Sequence, residues 1–207
     1  MDFRYLGLSG LKVSSYCLGT MTYGETTEEN DAHLQISEAF SSGINFIDTA
    51  EMYPTCPIRK ETSGETEKII GNWINNNKDK RKDIILATKV VGNGFKYIRN
   101  GGPITKETIK VALHGSLKRL KTDYIDLYQL HWPNRGSYHF RSYWNYKPEK
   151  QDSKNITDEF LDIINTLNDF KKEGLIRAIG VSNETCWGVM KFHEIIKEIE
   201  NLCIASI

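Results

Sequence analysis

The stretch Leu18-Gly19-Thr20-Met21-Thr22-Tyr23-Gly24 decides between two architectures. It leaves the first strand candidate, Ser14–Thr20, in a chain where short β-rich runs alternate with amphipathic helical stretches, the pattern of parallel βαβ units. A doubly wound open sheet would place G-x-G-x-x-G at this turn, so that the backbone turns tightly and approaches a phosphate. Here the glycines stand at 19 and 24, and the spacing does not match. A (β/α)8 barrel makes no such demand. The reading is therefore a barrel.

Upstream, the glycine-punctuated run Tyr5–Val13 predicts a small hairpin. Downstream, strands are predicted at Asn45–Ala50, Asp83–Val90, Tyr124–His131 and Ile176–Ser182. Helices are predicted over Glu28–Ser41, with Thr26 and Thr27 as cap candidates, and after Thr62-Ser63-Gly64-Glu65, which has capping-box spacing. Apolar stripes at helical spacing follow: Ile69, Ile70, Trp73 and Ile74; then Ile109, Ala112, Leu113, Leu117 and Leu120; then Phe160, Ile163, Ile164, Leu167 and Phe170. Gly174 is placed to end the last of these, and Thr185–Glu200 is a fifth helix. The chain then enters the apolar run Leu202–Ile207. Six strands and five helices fall short of the eight strands and ~250 residues of a complete barrel. The expectation is one α/β domain over 1–207, an incomplete (β/α)8 TIM-barrel type with an N-terminal β-hairpin, whose open edges invite self-association.

Twenty-seven basic and 27 acidic residues cancel, and a neutral chain lacks the footprint of a nucleic-acid binder. No apolar run reaches the length of a membrane span, and Met1-Asp2-Phe3-Arg4-Tyr5 does not open an export signal. Cys17, Cys56, Cys186 and Cys203 are scattered without a CxxC pair. They read as reduced cytoplasmic thiols, with Cys17 and Cys203 as small core residues and no metal site. Two connections exceed plain turns: Val91–Ile104, rich in glycine and asparagine, and Asn134–Asn155, which holds Tyr138, His139, Phe140, Tyr143, Trp144 and Tyr146. A long aromatic loop after a strand suits the wall of a site mouth, or packs its own rings at the surface.

The ionisable residues fall in a pattern. Asp48, Lys89 and His131 close the second, third and fourth strands, and Ser182-Asn183 closes the fifth. Parallel strands put these ends on one rim, where such barrels carry their catalytic groups. Taken singly, each is an ordinary cap or a solvated side chain; together they are hard to ascribe to coincidence. Tyr53 lies in the loop leaving the strand of Asp48. An ammonium beside a phenol favours the phenolate, so the expected effect of Lys89 is to lower the tyrosine's pKa from ~10. A neutral His131 would orient a carbonyl by donating to its oxygen, which suits hydride addition.

The segments Asp48-Thr49-Ala50-Glu51-Met52-Tyr53, Ala87-Thr88-Lys89, Gln129-Leu130-His131-Trp132-Pro133 and Gly180-Val181-Ser182-Asn183 stand in the order found in aldo-keto reductases. The sequence resembles that superfamily along essentially its whole length, and more narrowly its bacterial Tas-type branch. The resemblance implies an NADPH-dependent oxidoreductase that reduces small aldehydes or ketones in the cytoplasm. In it Tyr53 is the proton donor, Asp48 and Lys89 tune it, and His131 orients the carbonyl. Ser182 and Asn183 match positions that hold the nicotinamide carboxamide, Gly19, Thr20 and Met21 match the rim along the cofactor, and Trp132 lines the substrate pocket or merely packs. The family's barrel continues for two strands beyond this sequence, with further nicotinamide and 2′-phosphate contacts. Other readings stay open: a Schiff-base aldolase using Lys89, a non-catalytic cofactor-sensing or regulatory subunit, or an inactive piece of a longer reductase.

Overall fold

A computed structural model describes residues 1–135, 147 and 151–207. The aromatic residues Tyr138, His139, Phe140, Tyr143, Trp144 and Tyr146 lie outside the described residues. Strands β1 (Phe3–Tyr5) and β2 (Lys12–Ser14) form the antiparallel hairpin, with Arg4 opposite Val13. The hairpin's Leu11 and Val13 are buried against Ile85, Ala87, Leu127, Ala178 and Ala205. Because Ile85 opens its strand, the hairpin plugs the end of the sheet where the parallel strands begin. Asn45 fixes it there: its Oδ1 accepts from Ser14 N at 2.8 Å, and its own N–H donates to Ser14 Oγ at 3.1 Å.

The remainder alternates as the hydrophobic periods dictate. β3 (Cys17–Gly19), α1 (Glu29–Ser41), β4 (Phe46–Asp48), α2 (Glu65–Asn76), β5 (Ile85–Val90), α3 (Lys106–Leu120), β6 (Ile125–Leu130), α4 (Ser153–Lys172), β7 (Ile176–Val181) and α5 (Cys186–Ile196) follow in turn. The five-stranded sheet is parallel throughout, in the order β3-β4-β5-β6-β7. A doubly wound sheet reverses its order at a switch point; this one follows the chain without reversal, as a barrel wall does. Among the described residues the sheet does not close into a barrel.

The two-residue period sorts the side chains. Ile47, Leu86, Val90, Tyr128, Leu130, Ile179 and Val181 point outward into the main core, against the apolar stripes of the helices. Their neighbours, Asp48, Ala87, Lys89, Leu127, Gln129, Ala178 and Gly180, point inward. Burial of both faces explains why β5 and β6 read as continuous buried runs. At Gly180 the packing is close: a Cβ there would stand 2.1 Å from Ser206 Oγ, which would have to turn away.

Four expectations need correction. The predicted sixth strand is an isolated bridge between Ile179 and Ile204, with Ala205 N–H donating to Ile179 O at 2.8 Å and Val181 N–H to Ser206 O at 3.0 Å. Helix α1 starts from Glu28 without a side-chain cap, and Thr27 Oγ1 instead meets Thr22 Oγ1 at 3.1 Å. Helix α2 starts from Gly64 in the left-handed region, while Thr62 donates to Glu25 at 2.7 Å. Both threonines bond across loops, so local capping lost to loop closure. Cys17 is exposed and Cys203 only partly buried, because Cys17 shares the inward parity of Gly19 on a strand that, among the described residues, pairs only with β4. Among the described residues no helix is long and apolar enough to cross a membrane.

Candidate active site

The parallel register fixes which side chains meet at the rim. Gly19 is opposite Asp48, Asp48 opposite Ala87, and Lys89 opposite Gln129. Asp48 thus lies two residues short of Lys89 across the sheet, within reach of a long amine. Lys89 Nζ donates to Asp48 Oδ2 at 2.5 Å and to Thr49 O at 2.8 Å. The other carboxylate oxygen, Oδ1, accepts from Gln129 Nε2 at 3.0 Å, and Gln129 Oε1 accepts from Ser206 Oγ at 3.1 Å. The ammonium is buried, so each donor bond answers a desolvation cost.

Tyr53 stands over this pair. Its ring centre is 5.0 Å from Lys89 Nζ, and it meets the His131 ring edge-on at 5.6 Å. Asp48, Tyr53, Lys89 and His131 therefore form one cluster from three strand ends. The backbone holds the tyrosine loop: Tyr53 N–H donates to Ala50 O at 3.1 Å, and Gly64 N–H donates to Tyr53 O at 2.9 Å. Trp132 stacks obliquely on His131 at 4.8 Å, and its Nε1 donates to Asn93 O at 3.2 Å. A Cβ at Gly92 would stand 2.5 Å from Trp132 Nε1, so the glycine makes room for the indole.

Electrostatics divide the two rings. Burial, aided by the Lys89 charge, pushes His131 down to about 3, so the imidazole is neutral at physiological pH. Its Nδ1 is buried without a hydrogen-bond partner among the described residues. Burial, aided by the Asp48 charge, pushes the Tyr53 phenol up to about 12. The shift runs opposite to the lowering expected from Lys89: burial dominates, and the ammonium donates to Asp48 and Thr49.

The remaining predicted positions differ in availability. Ser182 N–H donates to Leu130 O at 2.9 Å, and Asn183, in the left-handed region at φ 53, donates through Nδ2 to His131 O at 2.9 Å and Ser182 Oγ at 3.0 Å. Among the described residues the serine hydrogen and Asn183 Oδ1 remain on offer, one donor beside one acceptor. Gly19 leaves open space where a Cβ would stand, and Met21 is exposed. Thr20 is buried and its hydroxyl donates to Asp48 O at 2.8 Å, which commits that side chain to the loop.

Sequence reasoning passed over Gln129, although its two-residue offset from His131 puts both on one face. It also passed over Glu51, inside the Asp48–Tyr53 motif, and its partner Arg99, whose separation of 48 residues leaves no local signal. Among the described residues no group of three or more His, Cys, Asp or Glu side chains is placed to hold a metal ion.

Comparison with known proteins agrees with this geometry. The aldo/keto reductase family pattern matches residues 16–204. Protein tas of Escherichia coli is 44% identical over 195 residues, covering 93% of this chain and 55% of its own length. An uncharacterized oxidoreductase of Bacillus subtilis, YrpG, is 36% identical over 198 residues, covering 92% of this chain and 52% of its own. The solved holo form of an aldo-keto reductase from Bacillus halodurans superposes with a TM-score of 0.69 at 35% identity, over 94% of this chain and 54% of that one. The chain thus spans about half the length of the relatives it matches. A family match across nearly the whole chain, on a parallel sheet whose strand ends carry this cluster, has one reading: the chain belongs to the aldo/keto reductase family.

Proposed function

We propose that this chain is the N-terminal part of, or itself, an NADPH-dependent oxidoreductase that reduces small aldehydes or ketones to alcohols in the cytoplasm, with Tyr53 as proton donor. The observation that carries the proposal is the convergence of a protonated phenol, a neutral imidazole and a buried Lys89 ammonium paired with a half-buried Asp48 at one rim. The residues fit a nicotinamide: the hydroxyl hydrogen of Ser182 and Oδ1 of Asn183, unengaged among the described residues, complement the oxygen and amide hydrogens of a primary carboxamide. Open space at Gly19 gives room beside them. When bound, that cofactor supplies the hydride that adds to the carbonyl carbon.

Tyr53 gives its phenolic proton to the carbonyl oxygen as negative charge develops there. A phenol near 12 remains a far stronger acid than an alcohol, so the transfer runs downhill. The phenolate left behind faces the Lys89 ammonium, and solvent returns the proton. The neutral imidazole of His131 orients the same oxygen by donating a hydrogen bond. Asp48 and Gln129 keep Lys89 beneath the ring. The ion-paired geometry of Lys89 speaks against a Schiff-base role, which needs a neutral amine.

The test titrates the chain with NADPH and with NADH, following tryptophan quenching, and assays NADPH oxidation with a small aldehyde. Tyr53→Phe is expected to bind NADPH about as well while its turnover falls by ~10²–10⁴-fold. Undiminished turnover in Tyr53→Phe would remove the tyrosine from the mechanism.

A further inference from the structure

One carboxylate joins the two loops that frame the site. Glu51 lies between Asp48 and Tyr53, and its side chain is buried. It accepts from Arg99 in a fork, Oε2 from Nη1 and Oε1 from Nη2, each at 2.6 Å. Oε1 also accepts from Val91 N at 2.5 Å, and Arg99 Nη2 donates to Val91 O at 3.0 Å. Arg99 therefore fastens the far side of the 91–104 connection to both the exit of β5 and the Tyr53 loop. Its backbone is left-handed at φ 45, and Asn100 follows at φ 58. Two such residues in a row are strained, a conformation that persists where surrounding contacts over-determine it. Planar two-point recognition of a buried carboxylate is what Arg does and Lys cannot.

The loop so fastened carries Phe95 to Trp132, ring centres 5.9 Å apart, and Trp132 lies on His131. Phe95, Ile98 and Trp132 join Ala50, Met52, Val91 and Tyr53 in one apolar cluster at the rim. The wall facing the reacting groups thus stands on a segment that includes a glycine pair and no strand, and that Arg99–Glu51 ties to the Tyr53 loop.

We infer that Arg99 is a positioning residue: its forked pair with Glu51 holds the Phe95–Trp132 wall in register with Tyr53, and so sets how well carbonyl substrates with a large aromatic group are held. The inference rests on the proposed reductase reading for its kinetic arm. Its structural arm does not.

The test compares wild type with Arg99→Met, Arg99→Lys and Glu51→Gln, each first checked for native circular dichroism. Cleavage after Lys96 by a lysine-specific protease reads how often the loop opens. It is expected to quicken about tenfold or more in Arg99→Met and Glu51→Gln, and less in Arg99→Lys, which keeps the charge but loses the fork. KM for 2-naphthaldehyde is expected to rise about tenfold in Arg99→Met, with kcat changing much less and with a much smaller effect on KM for propanal. Unchanged cleavage in folded Arg99→Met overturns the clamp. Equal losses on both aldehydes overturn the positioning role in favour of a purely structural one. Absence of aldehyde reduction by wild type, with quickened cleavage in the variant, overturns the reading of this chain as itself a reductase and leaves the clamp standing.

Discussion

His131 is buried beside Lys89, and both conditions disfavour its imidazolium, so its pKa falls from an ordinary value near 6.5 to about 3. Between those values the unfolded chain binds more protons than the folded one. Stability therefore rises with pH across that window and is lost as pH falls below about 6.5. The slope is roughly 1.4 kcal/mol per pH unit, so about 2 kcal/mol should be lost near pH 5. Urea unfolding of His131→Gln, compared with wild type at about pH 7 and about pH 5, should show that much less acid loss in the variant. An equal loss in both would mean the imidazole is not buried neutral. Tyr53 predicts a different profile: with its phenol pushed up to about 12, carbonyl reduction should stay level from neutral pH to about 10, while alcohol oxidation, which needs the phenolate, climbs throughout. Initial rates in the two directions, measured across that range, check the pair. These residue types and their strand-end placement were legible in the sequence. The sign of the tyrosine shift was not, because it depends on how far the fold buries the phenol and how near it sets the Asp48 charge.

At the scale of elements, helices α2 and α3 touch where Gly71 faces the end of α3. A Cβ at Gly71 would stand 2.1 Å from Arg119 O and 2.8 Å from the Leu120 carbonyl carbon, which are backbone atoms and cannot turn aside. Alanine adds up to about 1 kcal/mol of helix propensity, but the steric conflict should outweigh it and leave Gly71→Ala less stable by about 1–3 kcal/mol. Thermal or urea unfolding decides the sign. Helix α3 also carries a reciprocal capping box, Thr105 accepting from Thr108 N at 3.3 Å while Thr108 accepts from Thr105 N at 2.6 Å. Thr105→Ala should cost about 1 kcal/mol in the same assay. The apolar stripes named this helix from its sequence; its cap went unread because threonine at the third position departs from the usual Glu or Gln. Thr27 and Thr62 show the converse: residues with cap chemistry whose hydroxyls tertiary neighbours claimed.

Across the whole molecule, the parallel sheet leaves β3 paired on one side only among the described residues, with Cys17 exposed on it. Unpaired strand edges associate, and a net charge of zero offers little repulsion against it. Sedimentation velocity should therefore show concentration-dependent oligomers near neutral pH, shifted toward monomer by Cys17→Lys, because a charge at an edge opposes pairing. A single concentration-independent species would dispose of the edge as an interface. By itself the sequence determined the alternation of strands and helices, the barrel type and the four residues of the rim. Hydrophobic period and strand-end placement are local properties, and parallel topology carries local placement to a common rim. Only the tertiary structure decided the rest. It set the direction of the Tyr53 shift, the recruitment of Gln129 to Asp48, the reduction of the predicted last strand to a bridge, and the Glu51–Arg99 tie. Each depends on distances between groups far apart along the chain, and those distances exist only once the sheet has set its register.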